Sequence, residues 1–426
     1  MSSRLLFRHA VDLLQAIVDS PQPADKQMEL YFRTQRQLGV RDRGFVAETV
    51  YGCLRRRRYI EYIADATPAR AGDQVAIYLM LTQGWSARAV EDAGYRVAKY
   101  NTDDKGARDF AARLRTPNAE LPLGAQTDLP DWLLDKLLAQ YGDSETRALA
   151  AALNQPATLD LRVNTLKADR DQVAEKLAQE GYPVEITPHS PVGLRRLDRA
   201  PLFKTQCFQT GLFEVQDEGS QLLAPLLEAR RHEMVVDFCA GAGGKTLHLG
   251  AMMANSGSLY ALDIAQKRLD RLKPRLIRAG LDNVRMIAIA HERDARVQRL
   301  AGKVDRVLVD APCTGTGTLR RNPDSKWREP DMVATTATQT RILNAAATLV
   351  KPGGRLVYAT CSLLRAENDD IVAVFLADHA EFSALPAGEI LARRGITLTL
   401  ADNALRLMPH VHHTDGFYAQ ALQRKK

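Results

Sequence analysis

The second half of the chain alternates strand-like and helical patterns, and this rhythm restricts the fold more than any other feature. From about residue 215, five apolar segments occur in the order MVVDFCA, SLYALDI, NVRMIAIA, VDRVLVDAP and GRLVYATCS, with helical patterns between them. Strands separated by helices pair in parallel, with helices on both faces of the sheet. The sequence therefore predicts an α/β fold with a doubly wound sheet, whose ligand binds at the carboxyl ends of the strands.

Two smaller domains are expected before this sheet. Residues 1 to about 120 carry apolar side chains at helical spacing, with breaks near residues 21–23, Gly72 and Gly84. A polar stretch with several prolines follows at 116–129. Beyond it, TLDLRVNTLK, VEITPHS and GLFEVQD alternate like strands around the helical pattern DRDQVAEKLAQEG. We predict an all-α domain over residues 1–125, an α+β domain over 126–214 and the doubly wound domain over 215–426.

Composition narrows the class of protein. The chain has 426 residues, 45% of them hydrophobic, and no apolar run approaches the roughly 20 residues that span a bilayer. Its amino terminus has the pattern of a helix and not of an export signal. The five cysteines are widely spaced, so we expect reduced thiols in the cytoplasm, no disulfide and no metal site. The net charge of +7 is compatible with RNA as a partner, and a monomer is the default expectation.

A glycine-rich loop follows the first strand of the doubly wound domain. Glycines allow the backbone to approach a ligand, and the helix that follows presents free N–H groups. The loop spells the end of a phosphate-binding motif, but that motif needs a glycine where Cys239 stands. We predict instead a loop that binds a nucleotide-like cofactor, formed by the residues Cys239, Ala240, Gly241, Ala242, Gly243, Gly244 and Lys245.

Acidic residues at the ends of the next strands complete the predicted cofactor site. Asp263 ends the second strand, where a carboxylate can accept both hydroxyl groups of a ribose. A helix N-cap is the alternative role for Asp263. Asp294 follows the third strand and is predicted to hold the adenine amino group, although His291 or Glu292 would fit the same point.

Two cysteines follow the fourth and fifth strands. In a doubly wound sheet these strands lie side by side next to the first, so Cys313 and Cys361 would both flank the cofactor loop. A single free cysteine is more often a small core residue. Two at neighbouring strand ends favour chemistry: one thiolate can add to carbon 6 of a pyrimidine and activate carbon 5, and the second can act as the base that releases the product. Asp310 is placed to bond N3 of the base, and Lys245 to orient Asp310 or lower a thiol pKa.

These motifs resemble those of the RsmB/Sun/Nop family of RNA 5-methylcytosine methyltransferases, above all its RsmB branch. The similarity lies in DFCAGAGGKT, LDI, DAPCTGTGTLRRNPDSKW and YATCSLLRAEN, and it extends to LRVNTLK, VQDEGSQLLAPLL and DGFYAQAL. It covers most of residues 130–426, and RDRGFVAETVYGCLRRRRYIEYI resembles the NusB-like domain that precedes the RsmB core. The usual C-A-A-P-G-G-K-T reads C-A-G-A-G-G-K-T here.

The resemblance implies a Rossmann-like class I methyltransferase domain, S-adenosylmethionine as cofactor and ribosomal RNA of the small subunit as substrate. It implies Cys361 as nucleophile and Cys313 as the residue that assists release, with the cofactor held by the loop from Cys239 to Lys245, by Asp263 and by Asp310. The α+β and helical domains would bind or dock RNA. A paralogue acting on tRNA or on large-subunit RNA, and a non-catalytic ribosome-assembly factor, are the alternatives. Methylation of an exocyclic amine is disfavoured, because DAPCTG offers a thiol.

Several basic residues are predicted to contact the RNA. Four consecutive arginines at 55–58 cannot share one helix face, so some face either phosphate or only solvent. A basic rim is expected after the Cys313 loop, with Trp327 there to stack on a base or, as we prefer, to pack in a core. The predicted RNA-binding residues are Arg320, Arg321, Lys326 and Arg162. Because the base must leave its stack to meet both thiols, a cytidine in a loop or single strand is the expected target.

Overall fold

A computed structural model describes residues 1–97, 104–198 and 200–426. The part of the helical prediction at 98–103, and Arg199 in the α+β region, lie outside the described residues. The chain forms two compact units, of which the first comprises Met1–Pro156 with Leu319–Glu329 and the second Ala157–Thr318 with Pro330–Lys426. The predicted domain limits at 125 and 214 therefore do not coincide with the limits of these units.

The first unit is helical among its described residues, as the spacing of apolar residues predicted. Its helices are α1 Ser3–Val18, α2 Ala24–Thr34, α3 Val40–Arg55, α4 Arg57–Ala64, α5 Ala71–Gln83, α6 Ala87–Asp92, α7 Asp104–Arg115, α8 Leu123–Thr127 and α9 Asp131–Leu153. The breaks expected near residues 21–23 and Gly84 fall between α1 and α2 and at the C-cap of α5. Fully buried side chains such as Leu13, Val50 and Ile77 form one core, each stabilising it by roughly 1.5–3 kcal/mol.

The second unit contains two sheets. Its strands are β1 Leu159–Val163, β2 Glu185–Ile186, β3 Gly193–Arg196, β4 Phe213–Val215, β5 Met234–Asp237, β6 Ser258–Asp263, β7 Val284–Ala288, β8 Val304–Asp310, β9 Val350–Thr360, β10 Phe382–Leu385, β11 Leu405–Leu407 and β12 Phe417–Arg424. Its helices are α10 Arg170–Gln179, α11 Gln206–Gln209, α12 Glu218–Gln221, α13 Leu223–Leu227, α14 Gly244–Met252, α15 Gln266–Ala279, α16 Ala295–Gln298, α17 Met332–Leu349, α18 Asp369–Asp378, α19 Ala387–Ala392 and α20 Pro409–His412.

The larger sheet has the predicted doubly wound order. It runs β10-β12-β9-β8-β5-β6-β7, with β11 paired to β12, and the five strands from β9 to β7 are parallel. Strand order reverses between β5 and β8, so their carboxyl ends flank a crevice. The prediction that the fourth and fifth strands lie beside the first is confirmed. The sequence pattern did not predict the antiparallel edge of β10, β11 and β12.

The smaller sheet forms the α+β region expected from the sequence. It has the order β2-β3-β1-β4, and all of its pairs are antiparallel. Asp169 caps α10, because its carboxylate accepts a hydrogen bond from the backbone N–H of Gln172. In turn, the Gln172 side chain accepts a hydrogen bond from the backbone N–H of Asp169. Val173 and Leu177 on the inner face of α10 are buried against the sheet.

Among the described residues, no helix combines the length and the apolar character needed to cross a bilayer.

Candidate active site

A cavity of about 650 Å³ opens at the carboxyl ends of β5, β6 and β8, where the strand order predicts a ligand. All four predicted catalytic residues line it: Cys361, Cys313, Asp310 and Lys245. So do most of the predicted cofactor residues, which are Cys239, Ala240, Gly241, Ala242, Gly244 and Asp263. The order of the strands therefore predicted the position of the cavity and ten of the residues that line it.

The glycine-rich loop is fixed by backbone and carboxylate contacts. The Ala240 amide donates to the Leu262 carbonyl at 2.8 Å, and the Gly241 amide donates to Asp263 Oδ2 at 2.8 Å. Gly243 has φ +85°, and a Cβ there would lie 2.1 Å from Leu272 Cδ1. Any other residue would have to adopt this positive φ and displace the Leu272 side chain. Gly243 thus shapes the loop from beneath rather than lining the cavity.

Asp263 is 5% exposed, and each of its oxygens already accepts one amide. Oδ1 accepts the Ala265 amide at 2.7 Å and Oδ2 accepts the Gly241 amide. A carboxylate oxygen has two acceptor positions, so both oxygens can still accept a hydroxyl group from the cavity. The N-cap of α15 is Ala265, so the alternative role as helix cap does not apply to Asp263.

Asp294 does not itself line the cavity. Its carboxylate caps α16, accepts the Ala290 amide at 2.9 Å and pairs with Arg296 at 2.6 Å. The hydrogen bonds from Arg296, and then those from the backbone, lower the pKa of Asp294. The segment that it holds does line the cavity, including His291 and Glu292. A direct contact of Asp294 with adenine stays a prediction, and its observed role is to fix this wall.

Asp237 is a feature of the site that the sequence reasoning did not select. It ends β5, is 1% exposed and lines the cavity. Its Oδ2 accepts the Thr246 hydroxyl at 2.7 Å, whereas its Oδ1 is buried and has no hydrogen-bond partner among the described residues. Burial raises the pKa of Asp237 to about 7. An unsatisfied buried acceptor beside a cavity suits a ligand that brings a donor.

These features fit S-adenosylmethionine. Asp263 offers acceptors for a ribose, and Asp237 offers one for an amino group. Apolar side chains at Ile264, Ile289 and Ile342 provide walls for an adenine ring. The hydrogen-bond acceptors and apolar walls of the site therefore match an adenosine carrying an amino acid.

Lys245 and Asp310, which both line the cavity, form an ion pair. Lys245 Nζ lies 2.6 Å from Asp310 Oδ2 and 5.8 Å from the centre of the Phe417 ring. Burial lowers the pKa of Lys245, but the Asp310 carboxylate and then the Cys361 sulfur outweigh burial, so that pKa is raised overall. Lys245 is therefore a fixed ammonium group that interacts electrostatically with Cys361.

The two thiols are in direct contact. Cys313 Sγ lies 3.4 Å from Cys361 Sγ, and both cysteines are partly buried. The hydrogen bond to Cys361, and then burial, raises the pKa of Cys313 well above its usual value. Cys313 is consequently a neutral thiol that can donate to the Cys361 sulfur. Such a contact stabilises negative charge on Cys361.

A buried carboxylate, which the sequence reasoning missed, joins the two cysteine-bearing segments. Glu367 is fully buried and accepts the Thr314 amide at 2.9 Å, the Thr314 hydroxyl at 2.5 Å and the Gln339 amide nitrogen at 2.9 Å. It also accepts the Ser362 hydroxyl. Thr314 follows Cys313 and Ser362 follows Cys361, so one side chain fixes both segments. The only signal for it in the sequence was the polar group RAEN after the fifth strand.

Burial contradicts RNA contact for three of the predicted basic residues. Lys326 is 2% exposed, and its ammonium donates to the Arg55 carbonyl and to Asn154 Oδ1, both at 3.0 Å. Burial lowers the pKa of Lys326 to about 7. Arg320 is 6% exposed, and Arg162 is 2% exposed with its guanidinium on the Gly244 carbonyl at 2.5 Å. Among these four predicted residues only Arg321 retains partial exposure.

The four consecutive arginines are engaged within the helical unit. The helix breaks at Arg56, between α3 and α4. Arg55 donates to the Arg320 carbonyl at 3.2 Å, and Arg56 pairs with Asp128 at 2.8 Å. Arg57 pairs with Glu61, and Arg58 with Asp131. Trp327 packs in this core and donates to the Leu54 carbonyl at 2.6 Å, which supports a structural role.

Comparisons with known proteins identify the family. The family model described as 16S rRNA methyltransferase RsmB/F matches residues 224–423. The family model of the RsmF/B-like ferredoxin-like domain matches residues 129–201. A probable ribosomal RNA small subunit methyltransferase B from Synechocystis sp. is 34% identical over 409 residues, covering 90% of this chain and 91% of its own. The probable ribosomal RNA small subunit methyltransferase B of Bacillus subtilis is 32% identical over 420 residues, which cover 91% of this chain and 92% of that protein.

A solved structure shares the architecture of the whole chain. The crystal structure of PH0851 superposes with a TM-score of 0.80 at 26% identity and covers 100% of this chain and 99% of that one. Together with the family model and the 34% identity to a curated relative over 90% of the chain, this similarity shows that the chain belongs to the RsmB/F family of RNA methyltransferases.

Proposed function

We propose that this protein transfers the methyl group of S-adenosylmethionine to carbon 5 of a cytidine in small-subunit ribosomal RNA, through a transient bond between Cys361 and carbon 6 of the base. The observation that carries the proposal is the contact of two thiols, 3.4 Å apart, which together with Asp310 line a cavity that suits the cofactor. The relatives named as small-subunit methyltransferases support the choice of RNA.

Nucleophilic attack requires a thiolate at Cys361. The Cys313 thiol and the Lys245 ammonium both stabilise negative charge there, through the sulfur contact and through electrostatic attraction. The thiolate forms a bond to carbon 6, and the electrons of the 5,6 double bond move toward carbon 5. The charge then reaches N3, where Asp310 can pass on a proton from the Lys245 ammonium, whose Nζ lies 2.6 Å from Asp310 Oδ2. When bound, S-adenosylmethionine supplies an electrophilic methyl group on sulfur.

Product release requires a base on carbon 5. Once the Cys361 sulfur is bonded to carbon 6, it is a weaker acceptor of the hydrogen bond that is the largest cause of the raised pKa of Cys313, although burial still raises that pKa. Cys313 can then release its proton to solvent, and the resulting thiolate accepts the proton of carbon 5. The electrons of that C–H bond restore the double bond and expel Cys361 as a thiolate. Through the contact between the sulfurs, a change at Cys361 thus affects the protonation of Cys313.

The test is methyl transfer from labelled S-adenosylmethionine to unmodified small-subunit RNA, with tRNA and large-subunit RNA in parallel reactions. We expect Cys361→Ala to be inactive, and Cys313→Ala to accumulate a protein–RNA adduct that survives denaturing electrophoresis. Cys207→Ala is the matched control, because Cys207 is buried in the α+β region and does not line the cavity. Bisulfite mapping identifies the cytidine.

Full turnover by Cys361→Ala would refute covalent catalysis by this residue. An adduct trapped by Cys361→Ala would reverse the roles of the two thiols. Methylation of tRNA or large-subunit RNA alone would assign a different substrate to the same chemistry.

A further inference from the structure

Helix α15 carries a strong concentration of positive charge. It spans Gln266–Ala279 and contains six cations but only one acid. The net charge of this helix is therefore +5, compared with +7 for the whole chain. Its inner face is apolar and packs on the sheet through Leu269, Leu272 and Leu276. The cations therefore lie on the remaining faces of the helix.

Four of the arginines form one row. Arg268, Arg271, Arg275 and Arg278 are separated by three, four and three residues, which places each within one turn of the next on the same side of the helix. At 1.5 Å per residue the row is about 15 Å long. Lys267 immediately precedes Arg268. We call Lys267 and the four arginines together the arginine row.

The row borders the cavity. Arg268 and Arg275 are among the residues that line it. At the other end, the Lys167 ammonium donates to the Arg278 carbonyl at 2.7 Å and so extends the positive charge beyond the helix. The positive surface thus extends from the lining of the cavity toward the α+β region.

The members of the row differ in how they are paired. Arg275 and Arg278 are held by the Glu214 carboxylate, and Arg275 also donates to the Ala242 carbonyl at 2.6 Å. Lys267 and Arg271 are exposed and form no ion pair with any described residue. A cation that merely balanced a nearby acid would have such a partner. These two remain available for phosphate.

We propose that the arginine row is the binding surface for the phosphates of the RNA strand that flanks the target cytidine. The inference rests on the proposed function, and it names where on this chain the substrate backbone lies. A row of cations at the mouth of a pocket holds a polyanion in one register without reading its sequence. The base that enters the pocket is then selected by the register of the strand and by the pocket itself.

The test uses the full chain and the double variant Lys267→Gln/Arg271→Gln. Neither residue lines the cavity, so S-adenosylmethionine binding and kcat at saturating RNA should stay at the wild-type level. Each phosphate contact with a single strand contributes about 0.7 to the slope of log K against log salt. Loss of two contacts should lower that slope by about 1.4, which corresponds to roughly tenfold weaker binding near 0.15 M salt. The KM for RNA should rise by a similar factor.

Arg299→Gln/Lys303→Gln is the matched control, because it removes two exposed cations of the same unit away from the row. The probe is unmodified small-subunit RNA, measured by salt-dependent binding and by methyl transfer. Wild-type slope and KM in the Lys267/Arg271 variant would overturn the proposal, and so would equal losses in the control. If wild type binds RNA but methylates no cytidine, the proposed function fails while the salt slopes still decide the role of the row.

Discussion

Asp237 gives a quantitative prediction, because a buried carboxyl group links the cofactor cavity to stability. The side chain is 1% exposed and receives one hydrogen bond, from Thr246 at 2.7 Å, while Oδ1 has no partner among the described residues. Burial raises its pKa from 3.8 to about 7. Between these pH values the folded protein binds more protons than the unfolded chain, so stability falls as pH rises.

The size of the effect follows from the difference in pKa. A difference of about 3 corresponds to about 4 kcal/mol, which is the stability that the folded protein loses by pH 8. Asp237→Asn cannot ionise and avoids this loss. We therefore expect the free energy of unfolding of the variant, relative to wild type, to increase by up to about 4 kcal/mol between pH 4 and pH 8. Cofactor binding should weaken, because Asp237 lines the cavity.

Urea unfolding of the full chain at a series of pH values measures this. Asp305→Asn is the control of opposite sign. Burial raises the pKa of Asp305, but the Lys351 ion pair and the bond from the Met234 amide outweigh burial and lower it overall. That variant should lose stability relative to wild type as pH rises through the range where Asp305 ionises. Parallel pH profiles for wild type and Asp237→Asn would refute the reasoning about buried charge.

Two further substitutions test the supports of the site. Glu367→Gln should cost about 2–3 kcal/mol in urea unfolding, because charge-assisted bonds from Thr314 and its neighbours are weakened by about 1 kcal/mol each; the RNA adduct should also persist longer on denaturing gels. Wild-type stability with wild-type adduct lifetime would contradict this. Gly243→Ala should cost about 2–4 kcal/mol in the same assay, because φ is +85° and the new Cβ meets Leu272. Gly241→Ala, at φ +57° with open space around it, should cost only about 1–2 kcal/mol, and equal losses would count against the steric argument.

Residues at strand ends were predictable from the sequence. Cys313 and Cys361 lie 48 positions apart, yet the order of the parallel strands brings their loops together. The order of these strands follows from the alternation of strands and helices along the chain. The same logic placed Asp263 and the glycine-rich loop. Asp237 could have been predicted in the same way, because it is the polar residue at the end of a buried strand beside the crevice.

Residues whose position depends on tertiary packing were not predictable. Lys326 follows the Cys313 loop by 13 positions, and proximity in sequence suggested a shared rim. The chain instead enters the helical unit at Leu319, where Lys326 meets partners from residues 55 and 154. Glu367 was missed because its role depends on Thr314, 53 positions earlier. The positive charge of α15 can be read from the sequence, but its position beside the cavity is evident only from the structure.

The segment 319–329 makes the helical unit discontinuous along the chain, and this limits how such proteins can be recombined. A fragment ending at residue 156 would lack Trp327, which fills the helical core, and Lys326, which supplies the donor for the Arg55 carbonyl. Exchange of amino-terminal regions between paralogues would therefore leave mismatched cores unless these eleven residues were exchanged as well. Evolution of substrate range by simple domain shuffling is thus constrained, and the two units are expected to diverge together.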